Sequence, residues 1–186
     1  KKELIGISLK KLGKKKKIEV KNKNKSKRKQ YKYLGYKTTT KSKDIKLLFD
    51  GGQICFRTFN YGTNWAGEIL GKTANHGKIG FGVINSIFKK HSLELPQTKI
   101  LKGYIEDNKY PTNILVDDLF FRYLGEDFNI FIQDKNIDWK VSKLLGLLLL
   151  DNIESQTEQI RNKILTEFLN YASSELEESS VFLKLS

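Results

Sequence analysis

The chain has 186 residues, 39% apolar and 11% aromatic, which is the make-up of a folded domain and excludes a disordered one. Its net charge of +13 is unevenly placed: residues 1–46 hold nineteen bases and three acids, whereas the remainder holds fifteen bases and eighteen acids. A patch of that density attracts polyanions by counterion release, and it lacks the apolar face or lipidation signal of a membrane anchor.

In chain order, Leu4–Leu9 reads as a buried-type strand and Ile18–Val20 as a second, joined through Gly13 and Lys14–Lys17 as a hairpin. Side chains alternate across a strand, so Leu4, Gly6, Ser8 and Lys10 share one face. Glu3, Ile5, Ile7 and Leu9 share the other. The chain holds no Met and opens almost inside a strand, which predicts an upstream portion. Lys21–Lys29 alternates bases with Asn and Ser and reads as an arm. Residues 14–46 are therefore expected to form a basic, partly flexible arm or hairpin within a single domain spanning 1–186. Tyr31, Tyr33 and Tyr36 follow. Lysines interleaved with aromatics grip phosphates while rings stack on bases, and lysine, a point charge, predicts contact without sequence preference.

Ile45–Phe49, Gly51-Gly52 and Gln53–Phe59 read as strand, turn, strand, the second alternating Ile54, Phe56, Thr58 against Cys55, Arg57, Phe59. Residues 60–82 carry six glycines and read as a glycine-rich connection. Within it Lys72, His76 and Lys78 are candidate donors to a nucleic-acid backbone. Ala66–Thr73 formally fits a relaxed phosphate loop, but a Glu68 inside such a loop would repel phosphate, and no buried strand leads directly into it. Val83–Lys90 predicts a short helix stopped before Pro96, and a further helix lies around Asn113–Leu124. Asn129–Gln133 and Trp139–Val141 are expected to pair as strands, with a helical reading of the second left open. Ile153, Thr157, Ile160, Ile164, Phe168 and Tyr171 fall on one face of a C-terminal amphipathic helix. The expected fold is α/β (α+β), with a mixed or mainly antiparallel sheet closed by that helix.

Cys55 is alone, so no disulfide forms within these residues, and a reducing compartment is the simpler expectation. Two histidines and one cysteine give a zinc site or a Cys–His dyad little material. The longest apolar run, Leu144–Leu150, is too short for a membrane span. Abundant Lys, Asn and Ile beside scarce Ala point to an AT-rich source genome.

Ser8-Leu9-Lys10, at the end of its strand, resembles the third motif of the PD-(D/E)XK nuclease superfamily, an acid-x-Lys triplet. More narrowly, GISLKK, together with the RTF…W.GEI.GK.A.HGKIG stretch and the ASS…SS.F.KL ending, resembles nuclease-like proteins of large tailed bacteriophages and related viruses. That resemblance implies a restriction-endonuclease-like fold, DNA as partner, Mg²⁺ or Mn²⁺ as cofactor, and a location in the virion or host cytoplasm. It makes Lys10 the residue that orients the attacking water, with metal and lysine neutralising charge at the phosphate. Ser8 stands where the family has Glu or Asp, and the family's upstream Asp has no counterpart in this chain. Asp50 and Glu68 are the acids proposed to join Lys10 at a metal. Backbone contacts are assigned to Lys14, Lys15, Lys16, Lys17, Lys27, Arg28, Lys29, Tyr31, Tyr33, Lys72 and Lys78. The rival expectation is a non-enzymatic virion structural or assembly protein, whose arm touches packaged genome or acidic neighbouring subunits.

Overall fold

The computed structural model describes residues 18–20, 29–59, 64–71, 77–178 and 183–185, with the backbone alone for 18–20, 173–178 and 183–185. In chain order the strands are β1 (Ile18–Val20), β2 (Tyr33–Thr38), β3 (Ile45–Phe49), β4 (Gly52–Phe59), β5 (Asn64–Gly71), β6 (Lys78–Gly80) and β7 (Leu183–Leu185). The helices are α1 (Phe81–Lys90), α2 (Thr98–Asp107), α3 (Val116–Leu124), α4 (Asn129–Gln133), α5 (Ile137–Glu154) and α6 (Glu158–Glu178). β2 to β6 form an antiparallel meander in sequential order, while β1 pairs antiparallel with β7 in a separate two-stranded ladder. The strand expected at Ile18–Val20 is thus present with β7 as its described partner, and Leu4–Leu9 lies outside the described residues.

The meander follows from period-two patterning, in which every second side chain points the same way. Ile45, Leu47 and Phe49 on β3, Ile54, Phe56 and Thr58 on β4, Trp65 and Ile69 on β5, and Ile79 on β6 are all buried. The reversal from β3 to β4 needs Gly52, whose φ of +152° is accompanied by close approach to β5. A β-carbon at Gly52 would stand 2.5 Å from the Leu70 carbonyl oxygen.

α5 covers the buried face of this sheet against β3 and β4, and α2 and α3 cover α5 from the other side. A helix enclosed on both sides must be apolar nearly all round. Eleven of the eighteen α5 residues are buried, including the run Leu144–Leu147 and Leu149-Leu150. Its start is capped by Asn136, whose Oδ1 accepts the Trp139 N–H at 3.1 Å. The helix lies so close to β3 that a β-carbon at Gly146 would stand 2.3 Å from Ile45 Cγ1. α6 packs along β2, β6 and α1, with Phe168 edge-on to Phe56 and stacked on Phe88 at centroid distances of 6.1 and 6.0 Å.

Three expectations are corrected here. Asn129–Gln133 and Trp139–Val141 are helical, as α4 and the first turns of α5. Of the short Ile130-Phe131-Ile132 run only Phe131 is buried, between Phe120 and Trp139, so three consecutive apolar residues supply a single anchor rather than a strand. The C-terminal face from Ile153 to Tyr171 is split between α5 and α6. Ser155 Oγ donates to the Asn152 carbonyl and Thr157 Oγ1 accepts the Ile160 N–H, so local side-chain bonds end one helix and start the next. The described residues of the glycine-rich connection are largely strand, and Gly67 sits where a β-carbon would meet Phe56 Cε1 at 2.7 Å.

Gly146→Ala gains about 1 kcal/mol of helix propensity. It also forces a methyl into Ile45, a clash of the kind that costs roughly 1–3 kcal/mol. The variant is expected to be less stable in urea denaturation; a midpoint at or above wild type would show that α5 does not press on β3 this closely.

Candidate nucleic-acid interface

Alternation that sends one set of sheet side chains to the helices sends the other set to the opposite face. There a single register row crosses all five strands of the meander: Lys37 opposite Lys46, Lys46 opposite Cys55, Cys55 opposite Glu68, Glu68 opposite Lys78. The adjacent row holds Arg57, Ala66 and Gly80, and the next holds Phe59 and Asn64. Lys37 and Lys78 are exposed, while Lys46, Arg57 and Glu68 are half-buried among their neighbours.

Arg57 organises this face. Its Nη2 donates to Glu68 Oε2 at 2.7 Å, Nη1 lies 3.7 Å from Asp44 Oδ2, and the guanidinium sits 5.2 Å from the Phe59 ring centroid. Lys78 Nζ lies 4.1 Å from the same centroid, so one ring is flanked by two cations. Cys55 is 1% exposed; burial first, then Asp44, pushes its thiol up to about 11. A thiol held neutral in this way is a poor nucleophile.

A buried lysine fixes the β2–β3 connection that carries Asp44. Lys143, wholly buried on α5, donates to Thr38 Oγ1 at 3.0 Å and to the Thr39 and Asp44 carbonyls at 2.9 and 3.4 Å. The preceding residue, Ser142, accepts the Thr58 N–H at its Oγ at 2.9 Å and donates to the Lys43 carbonyl at 3.1 Å. Lys43 Nζ reaches Asp138 at 2.6 Å. The polar flank of α5 therefore sets the position of Asp44, and through it the orientation of Arg57.

Of the residues proposed from sequence, Lys78 lies on this face and Lys29 is exposed at the start of the described segment. Tyr31 and Tyr33 require correction as base-stacking rings. Tyr31 packs edge-on against Phe49 at 5.6 Å, and Tyr33 is buried with its hydroxyl donating to Glu154 at 2.5 Å. Both face the helices, because α6 draws the start of β2 inward through Asn162 and Thr166, which accept the Tyr33 and Tyr31 N–H groups. Asp50 and Glu68 do not converge. Asp50 accepts the Lys32 N–H beside the β3–β4 turn, whereas Glu68 sits mid-strand on Arg57. Among the described residues no three His, Cys, Asp or Glu side chains group closely enough to hold a metal. Ala66–Gly71 is extended within β5, hydrogen-bonded to β4, and so does not form a phosphate-cradling loop. Ser8, Lys10, Lys14, Lys15, Lys16, Lys17, Lys27, Arg28, Lys72 and His76 lie outside the described residues.

Sequence reasoning had grouped Cys55, Arg57 and Phe59 on one strand face but assigned the last two no role. It had no means of aligning Lys37, Lys46 and Lys78, which are 9 and 32 positions apart in the chain and fall in one row, with Cys55 and Glu68 between the last two, only through register. No family model, no curated protein and no solved structure matches the chain. Among the described residues no helix is long and apolar enough to cross a membrane.

Burial lowers Lys143 from its ordinary 10.5 to about 8, with Asp44 opposing the shift. Between those values the unfolded chain binds the proton and the folded chain does not, so stability rises with pH across the window; below it the cost of charging the buried amine is fully present. Measured by urea denaturation over a pH series, the wild type is expected to gain stability relative to Lys143→Met from about pH 8 to 10.5 and to run parallel to it below. Parallel curves throughout would place the amine in water.

Proposed function

We propose that this chain is a viral DNA-associated protein that holds nucleic-acid backbone, without sequence preference, through its basic N-terminal segment and the basic outer face of its sheet. The observation that carries this reading is the register row joining Lys37, Lys46 and Lys78, with Arg57 beside it. Several phosphates can be met at once by charges mounted on a rigid sheet, and two of the nineteen bases of residues 1–46, Lys37 and Lys46, lie in that sheet, on β2 and β3. A nuclease-like fold and phosphodiester cleavage belong to the same proposal only through Lys10 and Ser8, with Mg²⁺ or Mn²⁺ supplying charge neutralisation at the phosphate.

A virion structural or assembly role is the second reading, and a different observation favours it. Leu115 and Phe121, at 60% and 75% exposure, together with Ile130 and Ile132, leave apolar side chains in solvent at α3 and α4. Exposed apolar surface of this kind is what a subunit contact covers.

Two measurements test the main reading. Fluorescence anisotropy with labelled duplex DNA should show affinity falling roughly 10³-fold or more between about 50 and 200 mM salt, and the joint change Lys37→Gln, Lys46→Gln, Lys78→Gln should flatten the logarithmic salt slope by about 2–3 units. Affinity indifferent to salt would remove the electrostatic reading. For cleavage, duplex DNA incubated with Mg²⁺ or Mn²⁺ is compared between wild type and Lys10→Ala. Loss of cutting in the variant is expected if the motif is functional; equal cutting by both, or none by either, takes Lys10 out of the mechanism.

A further inference from the structure

We infer that the outer face of the sheet takes single-stranded in preference to duplex nucleic acid, with one base stacked at Phe59. The inference rests on the nucleic-acid reading above and specifies its substrate. Phe59 closes β4 on the outer face, flanked by the Lys78 ammonium at 4.1 Å and the Arg57 guanidinium at 5.2 Å. In the row between Phe59 and Lys78, Ala66 lies opposite Gly80, two of the smallest side chains available. A β-carbon built on Gly80 meets no atom within 4 Å. The result is a shallow open shelf with an aromatic wall and a cationic rim.

Phosphate contact alone needs lysines and arginines and has no use for the ring. A duplex offers phosphates and groove edges, its base faces being stacked on one another. A single strand offers both phosphates and free π-faces, and stacking on an aromatic side chain is indifferent to which base is present. A base over Phe59 displaces the Lys78 ammonium from the ring face and frees it for the adjoining phosphate. β6 runs directly into α1, and beside Gly82 an open groove of about 590 Å³ presents Asn85, Ser86, Gln97, Lys89 and Lys99. Of the two lysines, Lys89 is shared with Glu94 at 3.2 Å, in a surface pair of the weakly held kind. Amide and hydroxyl groups suit base edges, and the lysines suit phosphates.

The test uses the full chain with a labelled thymidine oligonucleotide of roughly 12 nucleotides, within the range such surfaces cover, and a duplex of equal length. The single strand is expected to bind more tightly. Phe59→Leu should weaken it about 5- to 100-fold, the range for one lost stack, while leaving duplex affinity and the salt slope unchanged; Phe59→Tyr should restore it. Gly80→Leu, which fills the shelf without touching the ring, should weaken single-strand binding in the same selective way and covers the case in which Phe59→Leu does not fold. Equal affinity for both nucleic acids, unmoved by Phe59→Leu or Gly80→Leu, overturns the inference and leaves the backbone-binding reading standing. Failure to bind either nucleic acid overturns both.

Discussion

The contact of α5 with β3 is the constraint on which the other features depend. Gly146 lets the helix axis descend onto Ile45, and the apolar run around it is then covered from behind by α2 and α3. Burial on both sides supplies the main driving force, because apolar area removed from water is what stabilises a domain of this size. It also dictates where polar groups can go. Along its first half, α5 places Asp138, Ser142 and Lys143 where the β2–β3 connection passes, and each finds a partner there. A buried ammonium is tolerated because three oxygens receive it, which is the condition for keeping charge in an interior.

That arrangement links the core to the surface. The connection held by Lys143 carries Asp44, Asp44 and Glu68 flank Arg57, and Arg57 leans on Phe59. A change in helix α5 would therefore be felt on the opposite side of the sheet. The electrostatics divide along the same plane. Residues 29–80 hold nine bases and three acids, and residues 81–186 hold twelve bases and sixteen acids. The residues that build the sheet thus carry a positive balance and those that follow it a negative one.

Much of the fold was legible in the residue order, and the exceptions share a cause. β3, β4 and α1 were readable because each turns an apolar face to the core, so the spacing of those residues reports the period. α5 was not, since a helix buried all round shows no stripe, and its apolar run reads equally as strand or helix. α4 misled because a run of three consecutive apolar residues reads as strand or helix alike, and here one of them is an anchor and two are exposed. The candidate interface was half legible. Lys78 and the grouping of Arg57 with Phe59 came from local spacing, but Tyr31 and Tyr33 looked like free rings until the packing of α6 turned them inward.

The sequence by itself determined the composition of this protein's two sides, a lysine-dense N-terminal segment and a mildly acidic remainder, and the α/β character of what lies between. Charge and short-range periodicity are properties of neighbouring residues, so they survive without knowledge of the fold. Only the tertiary structure decided which charges act together. Register across five strands brings Lys37, Lys46 and Lys78 into one row, the descent of α5 at Gly146 fixes Arg57 through Lys143 and Asp44, and the smallness of Ala66 and Gly80 becomes an open shelf beside Phe59. Those are relations between residues far apart in the chain, and pairing and packing alone create them.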